Sequence, residues 1–405
     1  MVGLIRTFES ATIASYNNVA FSPNSEYMVF GTSDNSIQWS IKNNRIRFLG
    51  KVKKEIKYRG LMDDITFSTI SIDPQNKFFS TKTIMGNLDI WKESGNIFRS
   101  FRGKNSAAFS PNGKLMVVGG NQYIHLYNNY GRLLRRIPIG MRGAIMHLQF
   151  TPDSKQFISN SFMRVVTVWS TSGKKIYQFN NLFKKAWCMA LSPDGKYLLF
   201  GTYNEGILLY TLKGKHLKTF KGHQDLVPTV AWNPKGKYFA SGSKDGTVKL
   251  WSVSDGCLHT FKEHTDKIRS VTFTPDGKFV MSGSRDGTVR IWNINTKKHI
   301  TLFLESQDSW FVHDEKGNFD GSAQGVNKIN LMKGMVNLSE SKETWNNYFT
   351  PGLLRKFLNL TFKKKKKKKI FNPGYIIGRI WNIRHTNIKV AVRNPRLLRP
   401  GQKLK

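Results

Sequence analysis

A proline followed 16 or 17 residues later by an aromatic residue recurs seven times along this chain. The prolines are Pro23, Pro74, Pro111, Pro152, Pro193, Pro234 and Pro275, and their partners are Trp39, Trp91, Tyr127, Trp169, Tyr210, Trp251 and Trp292. Successive prolines lie 51, 37, 41, 41, 41 and 41 residues apart. A unit of about 40 residues cannot bury its own apolar face, so neighbouring units must stack. The chain therefore folds as an array of repeats.

Each copy has the pattern of four short β-strands. In the sixth copy, runs at 227–232, 237–243 and 247–251 are rich in β-branched and aromatic residues and are separated by turns that contain Pro, Gly or Asp. This pattern is typical of antiparallel strands joined by tight turns. A fourth run, such as 216–220, ends in phenylalanine. Four strands in each of seven copies predict an all-β, seven-bladed β-propeller of four-stranded antiparallel blades.

The sixth and seventh copies resemble the WD-repeat β-propellers. His223 lies 28 residues before Trp251, and His264 lies 28 residues before Trp292, which is the spacing of that family. The resemblance implies two buried, hydrogen-bonded tetrads, each completed by a serine: His223, Asp245 and Trp251 with Ser241 or Ser243, and His264, Asp286 and Trp292 with Ser282 or Ser284. Buried histidine and carboxylate groups are costly unless both are hydrogen-bonded, so such tetrads would stabilise their blades.

The other copies depart from this pattern at the turn aspartate. Copies two to five have Met85, Asn121, Met163 and Asn204 there, and the first copy keeps Asp34 but has Ala11 in place of the histidine. We therefore expect complete tetrads only in the sixth and seventh blades, with strands and turns alone in the middle copies.

Two segments could supply the outer strand of the seventh blade. Residues 4–8 read like the fourth strand of a copy but precede the first copy, and residues 299–304 are the alternative. We favour the N-terminal segment, since pairing it with the seventh blade would remove an exposed edge and join the ends of the ring. Deletion of residues 1–10 should then lower the melting temperature sharply.

Three segments are predicted: the propeller at 1–305, a hairpin-plus-helix element at 306–362 and a basic tail at 363–405. The hairpin would turn at 315–318, and the helices would cover 341–349 and 351–358 with Ser341 as a cap. Residues 319–322 and the aromatic-Thr-Pro-Gly-Leu-Leu run at 349–354 are similar to an element of some bacterial WD-repeat proteins, where it can precede a caspase-like peptidase domain. No Cys/His pair of that class is present, so the resemblance implies only the sensor portion of such a system.

Positive charge is the chain's most unusual compositional feature. The net charge is +38, and no acidic residue follows Glu343. Seven consecutive lysines, Lys363, Lys364, Lys365, Lys366, Lys367, Lys368 and Lys369, attract polyanions such as nucleic acid or acidic lipid headgroups. Two other interpretations stay open: a disordered tether, or a tail that is read in a shifted frame after an adenine-rich tract.

No residue pattern points to catalysis. Ser241-Gly242-Ser243 and its counterpart in the seventh copy lie within repeated strands and lack the strand-to-helix turn of a serine hydrolase. The two cysteines lie in different copies, and the histidines fit no zinc pattern. We expect a cytoplasmic, non-enzymatic protein with no cofactor, no metal, no small-molecule substrate and no membrane span.

Recognition is the remaining class of function. Propeller turns between the second and third strands, together with the entrances to the first strands, surround one end of the central channel; we call this side the narrow face. Its predicted partner-binding residues are Phe162, Arg164, Trp187, Tyr203, Asn204, Lys244, Arg269 and Arg285. Aromatic and arginine side chains often anchor interfaces, and basic residues attract acidic partners. The leading hypothesis is a scaffold that binds an acidic protein segment, and the alternative is a nucleic-acid or anionic-surface binder.

Overall fold

The structure is a computed structural model that describes residues 2–6, 16–32, 36–49, 70–82, 87–140, 143–179, 186–306, 309–322, 324, 329–333, 336–337 and 348–360. The chain divides into two compact units, Met1–Thr361 and Phe362–Lys405. All of the described residues lie in the first unit, so the predicted basic tail lies outside the part of the chain that can be described.

Seven antiparallel blades of four sequential strands form the first unit, as the repeat predicts. The strands of blades 1 to 3 are Tyr16–Phe21, Tyr27–Thr32, Ser36–Ser40 and Arg45–Leu49; Ser71–Ile72, Phe78–Lys82, Asn87–Lys92 and Ile97–Arg102; and Ser106–Phe109, Leu115–Gly119, Tyr123–Asn128 and Leu133–Pro138. Those of blades 4 and 5 are Ile145–Phe150, Gln156–Ser161, Val166–Ser170 and Lys175–Phe179; and Cys188–Leu191, Tyr197–Gly201, Ile207–Thr211 and His216–Phe220. Those of blades 6 and 7 are Thr229–Trp232, Tyr238–Gly242, Val248–Ser252 and Gly256–Phe261; and Ile268–Phe273, Phe279–Ser284, Val289–Asn293 and His299–Ser306.

The hydrophobic core lies between the blades. One buried cluster joins the fifth blade to the sixth, where the Phe220 ring meets Phe239 and Trp251 at centroid distances of 4.9 and 5.9 Å. Similar clusters join blade 1 to blade 2, blade 2 to blade 3, blade 3 to blade 4, blade 4 to blade 5, and blade 6 to blade 7. Each blade therefore buries its apolar face only by stacking on its neighbours, which is why the period of the repeat determines the ring.

The predicted N-terminal closure is wrong. Val2–Arg6 pairs with Ile329–Lys333 in a small separate sheet, and the fourth strand of the seventh blade is His299–Ser306. The ring instead closes by packing blade 1 against blade 7. The first strands of these two blades are in contact, and the Val19 amide donates to Ser270 Oγ at 3.2 Å. Each blade is thus complete within its own segment, and no strand exchange is needed.

The hairpin after the ring extends the seventh blade rather than standing apart from it. Ser309–Asp314 pairs with His299–Ser306, and Phe319–Gly321 adds a sixth strand to the sheet. A short helix at Leu353–Phe357 follows, with the Gly352 amide donating to the Asp320 carboxylate at 2.8 Å. The predicted helix at 341–349 falls largely outside the described residues.

Candidate functional site at the channel mouth

The first strands of the seven blades surround a central channel. Each of them contacts the next around the ring, and the last contacts the first. A cavity of about 580 Å³ lies between these strands, and residues of all seven copies line it. Three of the predicted partner-binding residues, Trp187, Lys244 and Arg269, are among the lining residues. The structure therefore brings part of the predicted set to one opening, which we call the channel mouth.

Arg164 and Trp187 stack on each other beside this opening. The Arg164 guanidinium carbon lies 3.6 Å from the centroid of the Trp187 ring and 5.8 Å from that of Phe162. Arg164 adopts a left-handed backbone conformation, with φ of 62°, in the turn between the second and third strands of blade 4. Burial lowers the pKa of Arg164 to about 10, so the group keeps its positive charge at neutral pH.

His147 and Cys188 lie beneath this stack and are neutral. Burial lowers the pKa of His147 to about 4, partly opposed by a hydrogen bond with the Trp187 backbone and reinforced by the Arg164 charge. Burial also raises the pKa of the Cys188 thiol to about 12. The floor of the stack is thus an uncharged, buried layer. Arg164 itself exposes only 7% of its surface, so the partly exposed Lys244 and Arg269 are the cations nearest to an approaching partner.

The remaining predicted residues lie around this opening without lining it. Tyr203 and Asn204 are exposed in the turn of blade 5, and 57% of the Tyr203 surface is accessible. Arg285 lies in the turn of blade 7, where its Nε is 3.8 Å from an Asp266 carboxylate oxygen. Phe162 and its neighbour Met163 expose 44% and 38% of their surfaces. Among the described residues, Phe162, Met163 and Tyr203 thus give the narrow face exposed apolar groups on blades 4 and 5.

Ser241 and Ser282, rather than Ser243 and Ser284, lie between the histidines and tryptophans of the two tetrads. In blade 7, His264 Nδ1 is 2.7 Å from Asp286, His264 Nε2 is 2.8 Å from Ser282 Oγ, and Trp292 Nε1 donates to the same Oγ at 2.8 Å. In blade 6, the corresponding distances among His223, Asp245, Ser241 and Trp251 are 2.9, 2.7 and 2.7 Å. Ser243 and Ser284 instead bond backbone carbonyls of the preceding loops.

Two middle blades keep half of this network, which the sequence interpretation missed. Trp91 donates to Thr81 Oγ1 at 2.8 Å in blade 2, and Trp169 donates to Ser159 Oγ at 2.8 Å in blade 4. Both hydroxyl residues stand ten positions before the tryptophan, as Ser241 and Ser282 do. A Ser or Thr ten residues before the strand tryptophan therefore indicates this hydrogen bond, even where the turn aspartate is absent.

Basic residues on the outer strands form a second recurring feature that the sequence interpretation missed. Arg47 donates to the Ser94 carbonyl at 2.8 Å, Arg99 donates to the Gly131 carbonyl, and Lys218 donates to the Val253 carbonyl at 2.7 Å. Each donor stands two residues before a buried apolar residue at or next to the end of the fourth strand, and each acceptor lies in a turn of the next blade. We call these contacts blade clamps; they give part of the positive charge a structural role.

Metal binding, membrane insertion and polyanion binding are the other possible functions considered from the sequence. Within them, no group of three His, Cys, Asp or Glu side chains is placed to hold a metal ion. No helix in the same ranges is long and apolar enough to cross a membrane. The predicted polyanion-binding lysines, 363–369, lie outside the described residues.

Comparison with known proteins supports the repeat family. The family model of the WD domain, G-beta repeat, matches residues 95–128, 214–252 and 255–293. The last two segments contain the aspartate and tryptophan of the two complete tetrads, and the first spans the second and third blades. The search of curated proteins found no match to the chain. Three matched repeats, in a ring of seven four-stranded blades, support a WD-repeat β-propeller family for the chain.

Proposed function

We propose that this propeller is a non-enzymatic scaffold that docks an acidic segment of a protein partner at the channel mouth. The observation that carries the proposal is the Arg164–Trp187 stack beside exposed Phe162, with Lys244 and Arg269 lining the adjoining opening. Propellers of this family commonly act as protein-interaction scaffolds, which agrees with this assignment. The cytoplasmic location expected from the sequence stays a prediction.

The chemistry of the channel mouth fits an acidic peptide better than a neutral one. Lys244 and Arg269 line the opening, and buried Arg164 adds a third positive charge beside it; complementary charge speeds encounter and disfavours partners of like charge. Tryptophan, tyrosine and arginine are the side chains enriched at binding hot spots. A segment with carboxylates that flank one apolar side chain would contact both the cations and the exposed Phe162 and Tyr203 rings.

Charge reversal at the narrow face tests this proposal. Affinity capture with the full chain would compare wild type, Lys244→Glu/Arg285→Glu and the control Lys155→Glu/Lys174→Glu, which changes net charge equally at exposed positions of blade 4. We expect the first variant to lose an interaction partner that the wild type and the control variant retain. Identical sets of captured proteins for all three would contradict docking at this face.

Two other functions predicted from the sequence, polyanion binding and a sensor role in a caspase-like system, stay untested by the described residues. Polyanion binding by residues 363–369 predicts an affinity that falls steeply with salt and is lost on deletion of the lysine run, because such binding releases condensed counterions. The sensor role in a caspase-like system predicts a neighbouring reading frame that encodes the peptidase domain. Both stay predictions.

A further inference from the structure

The third blade replaces the charged pair of the tetrad with a lysine and an asparagine. The tetrad histidines stand three residues after the phenylalanine that ends the preceding outer strand, and Lys104 has this position after Phe101. The tetrad aspartates stand six residues before the strand aromatic, and Asn121 has this position before Tyr127. Blade 3 therefore has a cation at the histidine position and no carboxylate at the aspartate position.

The Lys104 side chain lies beside Gly120, directly after the second strand of blade 3. A Cβ added to Gly120 would lie 2.6 Å from Lys104 Nζ, so the ammonium group lies directly against this glycine. His125 and Arg136 are directly opposed in the register of the third and fourth strands. The exposed Tyr123 ring lies 6.2 Å from the His125 ring. We call Lys104, Tyr123, His125 and Arg136 the third-blade groove.

The charge of this groove is uncompensated within the described residues. No Asp or Glu occurs from residue 94 to residue 152. The ion pairs found in the described ranges include neither Lys104 nor Arg136, and buried His125 Nδ1 has no hydrogen-bond partner. Burial and then the Arg136 charge lower the pKa of Lys104, and burial with both cations lowers the pKa of His125. An anion placed among these groups would relieve their mutual repulsion.

Two structural roles of surface cations do not account for the groove. Arg99 is already engaged as a blade clamp, so it is not part of the site. Charged residues on an outer strand also prevent edge-to-edge pairing, which accounts for exposed Arg136 alone. Neither role explains Lys104, which is half-buried and whose ammonium group lies against Gly120.

We propose that the third-blade groove binds single-stranded nucleic acid, with a phosphate between Lys104 and Arg136 and a base stacked on Tyr123. Cations that follow a backbone and aromatic rings that accept bases are the two components of single-strand binding sites. Exposed Tyr130, with 83% of its surface accessible, and Arg132 lie at the far end of the same pair of strands, where an extended strand could continue. A membrane surface could also contact the cations and the tyrosine, and the vesicle comparison below distinguishes it from nucleic acid. The inference shares no residue with the channel mouth and does not depend on the proposed scaffold function.

Fluorescence anisotropy with a labelled 12-nucleotide oligothymidylate would test the proposal on the full chain. The variants are Lys104→Glu/Arg136→Glu, Tyr123→Ala, Tyr123→Phe and the control Lys155→Glu/Lys174→Glu, which has the same net charge as the first. Since the lysine run at 363–369 is present in all of them, differences among the variants report on the groove. Thermal melting of each variant checks that the fold is intact.

We expect Lys104→Glu/Arg136→Glu to weaken binding at least about tenfold and to reduce the slope of log K against log salt by about 0.7, as expected for the loss of one neutralised phosphate. Tyr123→Ala should weaken binding about 5-fold or more, as loss of one base stack predicts, and Tyr123→Phe should bind like wild type. Equal weakening by the two charge-reversal pairs, or wild-type binding by Tyr123→Ala, would overturn the proposal. The proposal would also be overturned if Lys104→Glu/Arg136→Glu weakened binding to phosphatidylserine vesicles more than binding to the oligonucleotide, since that would indicate a membrane site.

Discussion

Removal of one hydroxyl group should measure what a tetrad contributes to the ring. Ser282 is fully buried, and its Oγ accepts a hydrogen bond from Trp292 Nε1 while lying 2.8 Å from His264 Nε2. Burial lowers the pKa of His264, so the ring is neutral at pH 7. Nδ1 then donates to Asp286, and Nε2 accepts from the serine hydroxyl. Ser282→Ala therefore leaves one buried donor and one buried acceptor without partners.

The expected loss follows from these two groups. Each buried polar group left unsatisfied costs about 1–3 kcal/mol, so we expect Ser282→Ala, which leaves two, to lower the free energy of unfolding by about 2–6 kcal/mol. Ser282→Thr keeps the hydroxyl, as Thr81 does beside Trp91 in blade 2, and should retain most of the stability. Ser172→Ala, at an exposed serine of blade 4, is the matched control and should change stability by less than about 0.5 kcal/mol.

Urea unfolding followed by tryptophan fluorescence gives the comparison. Unfolding of Ser282→Ala at the same urea concentration as Ser172→Ala would refute a stabilising role for the tetrad, because the hydroxyl group would then contribute nothing measurable. An equal loss in Ser282→Thr and Ser282→Ala would also refute it, since the hydroxyl group would then be irrelevant.

Three further changes test other parts of the structure. Lys218→Ala removes the clamp onto the Val253 carbonyl and should lower the free energy of unfolding by about 1 kcal/mol, against no change for exposed Lys215→Ala in the same urea assay. Burial holds the pKa of His147 and of His313 near 4, below the value in the unfolded chain. The free energy of unfolding should therefore be highest above about pH 6.5 and fall towards pH 4, by up to about 1.4 kcal/mol per pH unit for each histidine. Urea midpoints measured at pH 7, 6 and 5 would show this decrease. Trp310→Ala removes the ring that packs 5.3 Å from Trp39 and should destabilise the chain by about 2 kcal/mol in calorimetry, whereas an unchanged transition would show that the hairpin does not support the first blade.

The repeat predicted the ring because its information is periodic and local. Proline, turn glycine and strand aromatic recur in each copy, and Gly246 and Gly287 have the positive φ that their turns require. Ring closure could not be predicted in the same way. The residue 4–8 segment and the residue 299–304 segment have similar strand patterns, and only the pairing of Val2–Arg6 with Ile329–Lys333, a contact between distant segments, decides between them.

The candidate site was predictable in type but not in arrangement. The turn position identified Arg164 and Lys244, yet no sequence pattern indicated that Arg164 stacks on Trp187 above a buried His147. The third-blade groove could not be predicted from the sequence for a related reason. Lys104 becomes informative only when Gly120 and Arg136 are known to lie beside it, which depends on strand register and not on spacing along the chain.

Site-specific crosslinking tests the proposed docking at the channel mouth most directly. A photo-crosslinking residue at Phe162 would lie on the exposed edge of the Arg164–Trp187 stack, and one at Lys235 would lie in a turn at the opposite ends of the strands. Irradiation in a native lysate should give a partner adduct from position 162 that disappears in Lys244→Glu/Arg269→Glu, and none from position 235. Equal adducts from both positions, or an adduct from position 162 that persists after charge reversal, would contradict the account.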